Sequence, residues 1–363
     1  MIKQLAAATC VVASLAACGS STTKAAPAVT TAGAPAAPAT TVAAVATTAA
    51  TGKAMADLTG KKMVNVVKLT GIGWFDRMQT GIEAFKKDTK ADASQTGPAE
   101  ASPEQQVKMI GDLIAQKPLA ITVVPNSPES VEGVMKQAKE AGIIVISHED
   151  AGAQNVDADI EAFDNTAYGA HIMDSLAECM GKKGKYAAFV GAVTAKSHMQ
   201  WTEGALARAK EKYPDISRVA DPVESKESAD TAYAKTKELL QKYPDLTGIE
   251  GSASVDVAGI GRAVQELGLQ SKVCVMGTSI PSVAGKYLTD GSVDKIFFWD
   301  PALAGQAMMK MAALVKSGTP IAAGTNLGLS GYEKLTQSPD NPKAFFGSAW
   351  LDVDAKNAAQ YPF

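Results

Sequence analysis

The chain has 363 residues, 46% of them hydrophobic and 20% charged, with a formal net charge of −3. This is the composition of a folded globular protein that can bury a large core without a metal or disulfide staple, and it carries no general affinity for nucleic acid. The length predicts one very large domain or two ordinary ones.

Met1–Gln4 holds a single positive charge, Lys3, and Leu5–Ala16 is a short apolar run. Leu15-Ala16-Ala17-Cys18-Gly19 then reads as a bacterial lipobox, with residues 1–17 as the signal. In that reading cleavage precedes Cys18 and its sulfur carries a diacylglycerol. The chain would be anchored to the outer side of the cytoplasmic membrane, at a cell surface or in a periplasm. The alternative is an ordinary secretory peptide with Cys18 unmodified. Residues 18–60 are expected to be tether, because Ser20–Lys53 is almost all Ala, Thr, Pro, Gly and Ser and cannot bury enough surface to fold. No later apolar run reaches about 18 residues, so no membrane-spanning helix is expected. Of the four cysteines, Cys10 leaves with the signal; Cys179 and Cys274 could pair or remain separate buried thiols.

From Met63 short apolar runs alternate with amphipathic helices. The pattern predicts a strand over Met63–Leu69, a helix over Phe75–Lys87 and a strand over Ala91–Thr96. A helix over Pro103–Gln116 follows, with Ser102 as N-cap and Pro103 in its first turn. Next come strand Leu119–Val124, helix Ser130–Ala141 and strand Ile143–Ser147. After a less regular piece the rhythm returns with strand Tyr186–Val190, helix His198–Lys212, strand Ser217–Val223 and helix Ser228–Lys242. Strand Gly248–Gly251, helix Val255–Leu267, strand Lys272–Met276, helix Pro281–Leu288, strand Lys295–Trp299 and helix Leu303–Lys316 complete it. Strand–helix alternation at this spacing means right-handed βαβ units and parallel sheets. Two such runs predict an α/β protein of two doubly wound lobes. Lobe one is placed at 61–149 plus 301–331 and lobe two at 150–300 plus 332–363, joined by three crossings near Glu149–Gly152, Trp299–Asp300 and Gly331–Pro342.

Ligands of open α/β sheets sit at the carboxyl ends of strands and the helix N-termini that follow. Val67–Arg77 (VKLTGIGWFDR) supplies a cation, two aromatics, a carboxylate and a guanidinium at such a place: Lys68, Trp74, Phe75, Asp76 and Arg77. That set suits a polar ligand with apolar ring faces, such as a sugar or polyol. The plainer reading makes Phe75 a core residue, Trp74 a partly exposed aromatic and Asp76 a first-turn carboxylate near the helix dipole. Other strand ends carry Asn126–Glu129, Ser147–Asp150, Gly191–His198 and Trp299–Pro301. Ser127 or Ser130, Ser197 and Asp300 are also good helix caps.

Val67–Phe75 (VKLTGIGWF), Asn126–Glu129 (NSPE), Gln200-Trp201, Lys242–Leu246 (KYPDL), Phe298–Asp300 (FWD) and Asn357–Phe363 (NAAQYPF) together resemble the type I periplasmic binding proteins. The resemblance covers about Lys61 to Phe363. It is nearest the branch holding autoinducer-2 receptors and rhamnose-type sugar-binding proteins. It implies a hinged two-lobe protein that closes on a small ligand and hands it to an ABC permease, with no turnover and no cofactor. That branch has a lysine after the first strand, matched by Lys68. Its S-P-D aspartate corresponds to Glu129, its Asp-Gln pair to Ser197-His198, its proline to Gly251 and its nearby alanine to Ala253. The sugar-type arginine is missing from Lys196–Trp201, and Thr278-Ser279 stands where an aspartate is usual. The fold transfers by resemblance; the ligand does not.

His148, Glu149 and His198 could in principle form a metal site or a general base, but no ligand spacing of the zinc-site kind exists. Gly259-x-Gly261 lies inside a helical pattern, and there is no P-loop or nucleophile elbow. The expected protein is therefore a monomeric extracytoplasmic solute-binding lipoprotein. Trp74, Phe75 and Trp299 would offer ring faces, and Lys68, Asp76, Arg77, Glu149, His198 and Asp300 would hydrogen-bond hydroxyls. The alternative is a receptor reporting an autoinducer-2-like signal; a third reading is a hydrolase built on the His148-Glu149 loop.

Overall fold

The computed structural model describes residues 56–363; the signal, Cys18 and nearly all of the proposed tether lie outside these. Leu58 is already buried against the first lobe and Gly60 N–H bonds to the Lys90 carbonyl, so folded chain begins before the tether's expected end at residue 60.

The first half of the chain runs β1 (Lys62–Val66), α1 (Gly73–Thr89), β2 (Asp92–Thr96), α2 (Pro103–Ile114), β3 (Ala120–Val123), α3 (Pro128–Glu140), β4 (Ile144–Ser147), β5 (Ala158–Glu161) and α4 (Asn165–Cys179). It continues with β6 (Gly184–Val190), α5 (Lys196–Lys212), β7 (Ile216–Arg218), β8 (Val223–Glu224), α6 (Ala229–Lys242), β9 (Leu246–Gly251), α7 (Asp256–Glu266), β10 (Cys274–Thr278) and α8 (Pro281–Asp290). The last elements are β11 (Lys295–Phe298), α9 (Pro301–Ser317), β12 (Thr336–Gln337), β13 (Ala344–Phe346) and β14 (Leu351–Val353).

Two sheets result, ordered β12-β13-β5-β4-β3-β1-β2 and β14-β11-β10-β9-β6-β7, with β8 also beside β6. In each, the chain starts centrally, steps outward once and then winds the other way. The switch point between β1 and β3, and again between β6 and β9, leaves a crevice at the carboxyl ends. The central strands β1, β3, β4, β6, β9 and β10 are buried on both faces, as parallel sheets require. In β1, Val64 and Val66 join Ile110, Val131 and Met135 on one side, while Met63 joins Ile82, Phe85 and Met308 on the other.

The lobe boundaries differ from the expected ones. The less regular stretch between residues 148 and 185, where only the LAECMG around Cys179 has a helical pattern, contains β5 and α4. β5 reads Ala-Asp-Ile-Glu, all buried, and its two acids hide a strand that pairs with β4 and β13. The first sheet therefore extends to Glu161, and β12 and β13 return to it rather than to the second lobe. The crossings fall at residues 162–164, 299–300 and 347–350; of the expected three, the one at Trp299–Asp300 is in place. In the second lobe Gly169 of α4 lies so close to α5 that a Cβ would stand 2.0 Å from the Trp201 carbonyl oxygen, so only glycine permits that helix contact. Cys179 and Cys274 form a disulfide joining α4 to β10. Their sulfurs are thus engaged with each other and not with a metal, although Asp294 stands beside them. No described helix is long and apolar enough to cross a membrane.

Candidate ligand-binding site

The carboxyl ends of both sheets meet at a small cavity lined by buried residues. Lys68, Trp74, Phe75 and Glu149 line it from the first lobe; His198, Trp201, Glu227, Ser252, Ser254 and Thr278 line it from the second, and Trp299 from a crossing. The space available to the centre of a water-sized sphere is about 20 Å³. That is the scale of one small molecule such as water, so a larger guest enters only if the lobes part.

A buried ion pair of the first lobe is joined by a hydroxyl of the second. Lys68 Nζ donates to Glu149 Oε2 at 2.6 Å, with both side chains only 4% exposed, and Ser197 Oγ of α5 donates to the same oxygen at 3.0 Å. Glu149 follows β4 in the left-handed region, φ 61°, a conformation that a non-glycine residue adopts at some cost. Burial by itself would raise the Glu149 pKa, but the Lys68 ammonium outweighs it and holds the carboxyl down at about 2.

Both site histidines are neutral. Burial, reinforced by Lys68, pushes His198 down to about 3. Its Nδ1 accepts from the Gly191 N–H at 3.1 Å, which leaves Nε2 to carry the proton. Burial also lowers His148, whose Nδ1 donates to the Ile160 carbonyl while Nε2 accepts from the Trp299 indole N–H at 3.2 Å. Trp299 is the hub of an aromatic cluster: its ring meets Trp74 edge-on at 4.7 Å, Phe163 at 5.1 Å and Trp201 at 5.8 Å.

The remaining residues expected at the site lie elsewhere or are occupied. Asp76 is exposed in the first turn of α1. Glu129 is exposed in the first turn of α3, on a separate surface groove with Glu132 and Lys196. Arg77 and Asp300 bind each other, Nε to Oδ1 at 2.9 Å and Nη2 to Oδ2 at 2.7 Å. Asp300 also caps α9 through the Ala302 N–H, and the Arg77 guanidinium lies 3.8 Å over the Phe363 ring. Ala253 is buried and its N–H bonds to Asp256, while its neighbours Ser252 and Ser254 face the cavity. Ser197 reaches the site only through Glu149.

Trp201, Glu227, Ser252 and Ser254 line the cavity without having been expected as ligand contacts, and Thr278, noted only as standing where an aspartate is usual, joins them. Ser252, Ser254 and Thr278 follow from the rule that ligands sit at strand ends, applied to β9 and β10. Glu227 follows a two-residue strand that no periodicity could reveal.

Away from the cavity several carboxyls are buried without cations. Glu250, in the middle of β9, has no hydrogen-bond partner on either oxygen, and burial pushes it up to about 8. Burial likewise raises Asp150 and Asp256 to about 7, and Asp159 and Glu161 well above the carboxylate range. A carboxyl whose pKa is higher folded than unfolded takes up a proton on folding, so its contribution is lost as pH climbs through the folded value. The lowered histidines act oppositely, but only below their unfolded value of about 6.5. The melting temperature is therefore expected to fall between pH 6.5 and 8. Glu250 alone accounts for about 2 kcal/mol of that loss, from the pKa difference. Scanning calorimetry across this range, with Glu250→Gln flattening the slope, checks it; a profile that is level or rises in wild type would contradict it.

Residues 63–320 match the family described as periplasmic binding protein domain, and the chain belongs to that family. Its members are extracytoplasmic binding proteins, not enzymes. Among solved structures, the chain is similar to an ABC transporter solute-binding protein from Clostridium phytofermentas with bound L-rhamnose. Identity is 20%, coverage 84% of this chain and 98% of that one, and the TM-score 0.76. LsrB from Clostridium saccharobutylicum in complex with AI-2 aligns equally well, at 20% identity, 83% and 100% coverage and a TM-score of 0.76. GanP, a glucose-galactose binding protein from Geobacillus stearothermophilus, shares 19% identity over 82% and 98% with a TM-score of 0.72. At these identities the likeness is one of fold: a type I periplasmic binding protein of two lobes.

Proposed function

We propose that this protein binds a small sugar or polyol between its lobes and delivers it to an ABC permease. The observation that carries the reading is a cavity lined from both sheets by tryptophans and by polar groups at strand ends. Apolar ring faces suit the C–H faces of a sugar ring, and the serines, threonine, lysine and carboxylates suit its hydroxyls. Because the lining comes from both lobes, a ligand makes its full contacts only in the closed form and shifts the population toward it. Sugars bound by proteins of similar fold support the choice of ligand class. Lipidation of Cys18 would hold the protein near its permease; metabolic labelling with a fatty acid, lost in Cys18→Ser, tests that part.

A thermal-shift screen of the purified protein against pentoses, hexoses, deoxy-sugars, polyols and autoinducer-2 tests the function. A ligand at a hundred times its Kd stabilises by about 2.7 kcal/mol. A sugar or polyol hit that is lost in Trp74→Ala is the expected result. A hit by autoinducer-2 alone would favour the signal receptor, and no hit at all would remove the sugar reading.

A further inference from the structure

Glu227 is the one acid of the cavity that has no partner. Its residue is 9% exposed and its carboxylate makes no hydrogen bond among the described residues, yet it lines the cavity. The backbone presents it deliberately: Lys226 and Glu227 both lie in the left-handed region, at φ 57° and 54°. Hydrogen bonds from the Ser225 and Lys226 N–H groups to the Val190 and Gly191 carbonyls pin that turn to the end of β6. Two consecutive non-glycine residues with positive φ are costly and persist only where the surroundings enforce them. The Glu227 carboxylate also lies against Gly191, where a Cβ would stand 2.2 Å from Oε1. No side chain at 191 could be accommodated without moving it.

The cavity is lined by one lysine, Lys68, and two acids, Glu149 and Glu227. Lys68 is consumed by Glu149 at 2.6 Å. His198, which meets Gly191 through Nδ1, is neutral, as is His148 behind Trp299. Burial, with Glu149 nearby, raises the Glu227 carboxyl against the pull of Lys68, so its charged form is costly without a cationic group beside it. What is missing is a cation, and Trp74, Trp201 and Trp299 add ring faces that favour one.

Resting on the sugar-binding reading above, we infer that Glu227 selects a ligand bearing a protonated amine beside its hydroxyls, of the amino-sugar or amino-polyol class. The ammonium would donate to Glu227 while the hydroxyls engage Ser252, Ser254 and Thr278. Charge-assisted hydrogen bonds of this kind are about twice as strong as neutral ones.

Titration calorimetry with matched pairs tests this: glucosamine against glucose, galactosamine against galactose, mannosamine against mannose, each at pH 7 in two buffers of different ionisation enthalpy. The expected result is that the amino member of at least one pair binds ten-fold or more tightly than its neutral partner, with no net proton uptake. In Glu227→Gln that preference should vanish, the amino member losing at least ten-fold more affinity than its neutral partner. Glu227→Asp, which keeps the charge but shortens the reach, should retain part of the preference and serves if the glutamine variant does not fold. Neutral sugars binding as well as their amino partners, or with uptake of one proton onto Glu227, would overturn the proposal and leave the sugar reading standing. Failure of both members of every pair, together with the neutral panel above, would overturn both.

Discussion

Lys68→Met is expected to destabilise the protein by about 3–5 kcal/mol, the usual consequence of removing one partner from a buried ion pair. Glu149 would remain buried, 5% exposed, with only the Ser197 hydroxyl on its charged oxygen. No other cation is within hydrogen-bonding distance of it. The loss should appear in denaturant unfolding as a lower midpoint with an unchanged slope. The double variant Lys68→Met/Glu149→Gln should recover much of it, because the glutamine no longer needs a counter-charge. A single-variant loss below about 1 kcal/mol would mean that Glu149 escapes to solvent, by opening of the lobes, instead of staying buried. The same substitution would leave the cavity with two carboxylates and no lysine, so it tests the electrostatics of the site as well as the fold.

Trp299→Ala is expected to cost a comparable 3–5 kcal/mol, roughly the range for removing a large buried aromatic. Trp299 is 1% exposed and its ring touches Trp74 from the first lobe and Trp201 from the second. It stands at a crossing, immediately before Asp300, whose carboxylate caps α9 and holds Arg77. Removing the ring would loosen the wall of the cavity and the contact between lobes together, so ligand-induced thermal shifts should disappear as well. Trp299→Phe separates packing from hydrogen bonding. It keeps most of the ring but removes the N–H that satisfies His148 Nε2 at 3.2 Å. Leaving that buried acceptor empty should cost about 1–3 kcal/mol. Wild-type stability in Trp299→Phe would show that the indole N–H contributes nothing and that only ring volume matters.

Much of the architecture is legible from local patterning. The apolar runs Met63–Leu69, Leu119–Val124 and Lys295–Trp299 are strands because β-branched and aromatic residues continue over lengths too short for helices, and each is followed by a helix of 3.6-residue period. Ser102 does cap α2, accepting from the Gln105 N–H, and Asp300 caps α9. Lys68 and Trp74 could be placed at the crevice because ligands and cavities of open α/β sheets sit at the carboxyl ends of strands beside the switch point. β5 could not be read, since its Asp159 and Glu161 look like surface residues. They are buried because β4 and β13 enclose the strand from both sides and Ser147 hydrogen-bonds Asp159.

The charged residues of the site divide along the same line. Alternation along the chain determined, by itself, that there would be two doubly wound lobes with their strand ends collected between them, because hydrophobic period and turn chemistry are local properties. Which carboxylate meets which cation was decided only by tertiary structure. Arg77 and Asp300 are 223 residues apart and bind each other, Lys68 closes on Glu149 across 81, and Glu227 is left alone in the cavity. Such pairings depend on how the strand ends converge in space, and no local period records that convergence.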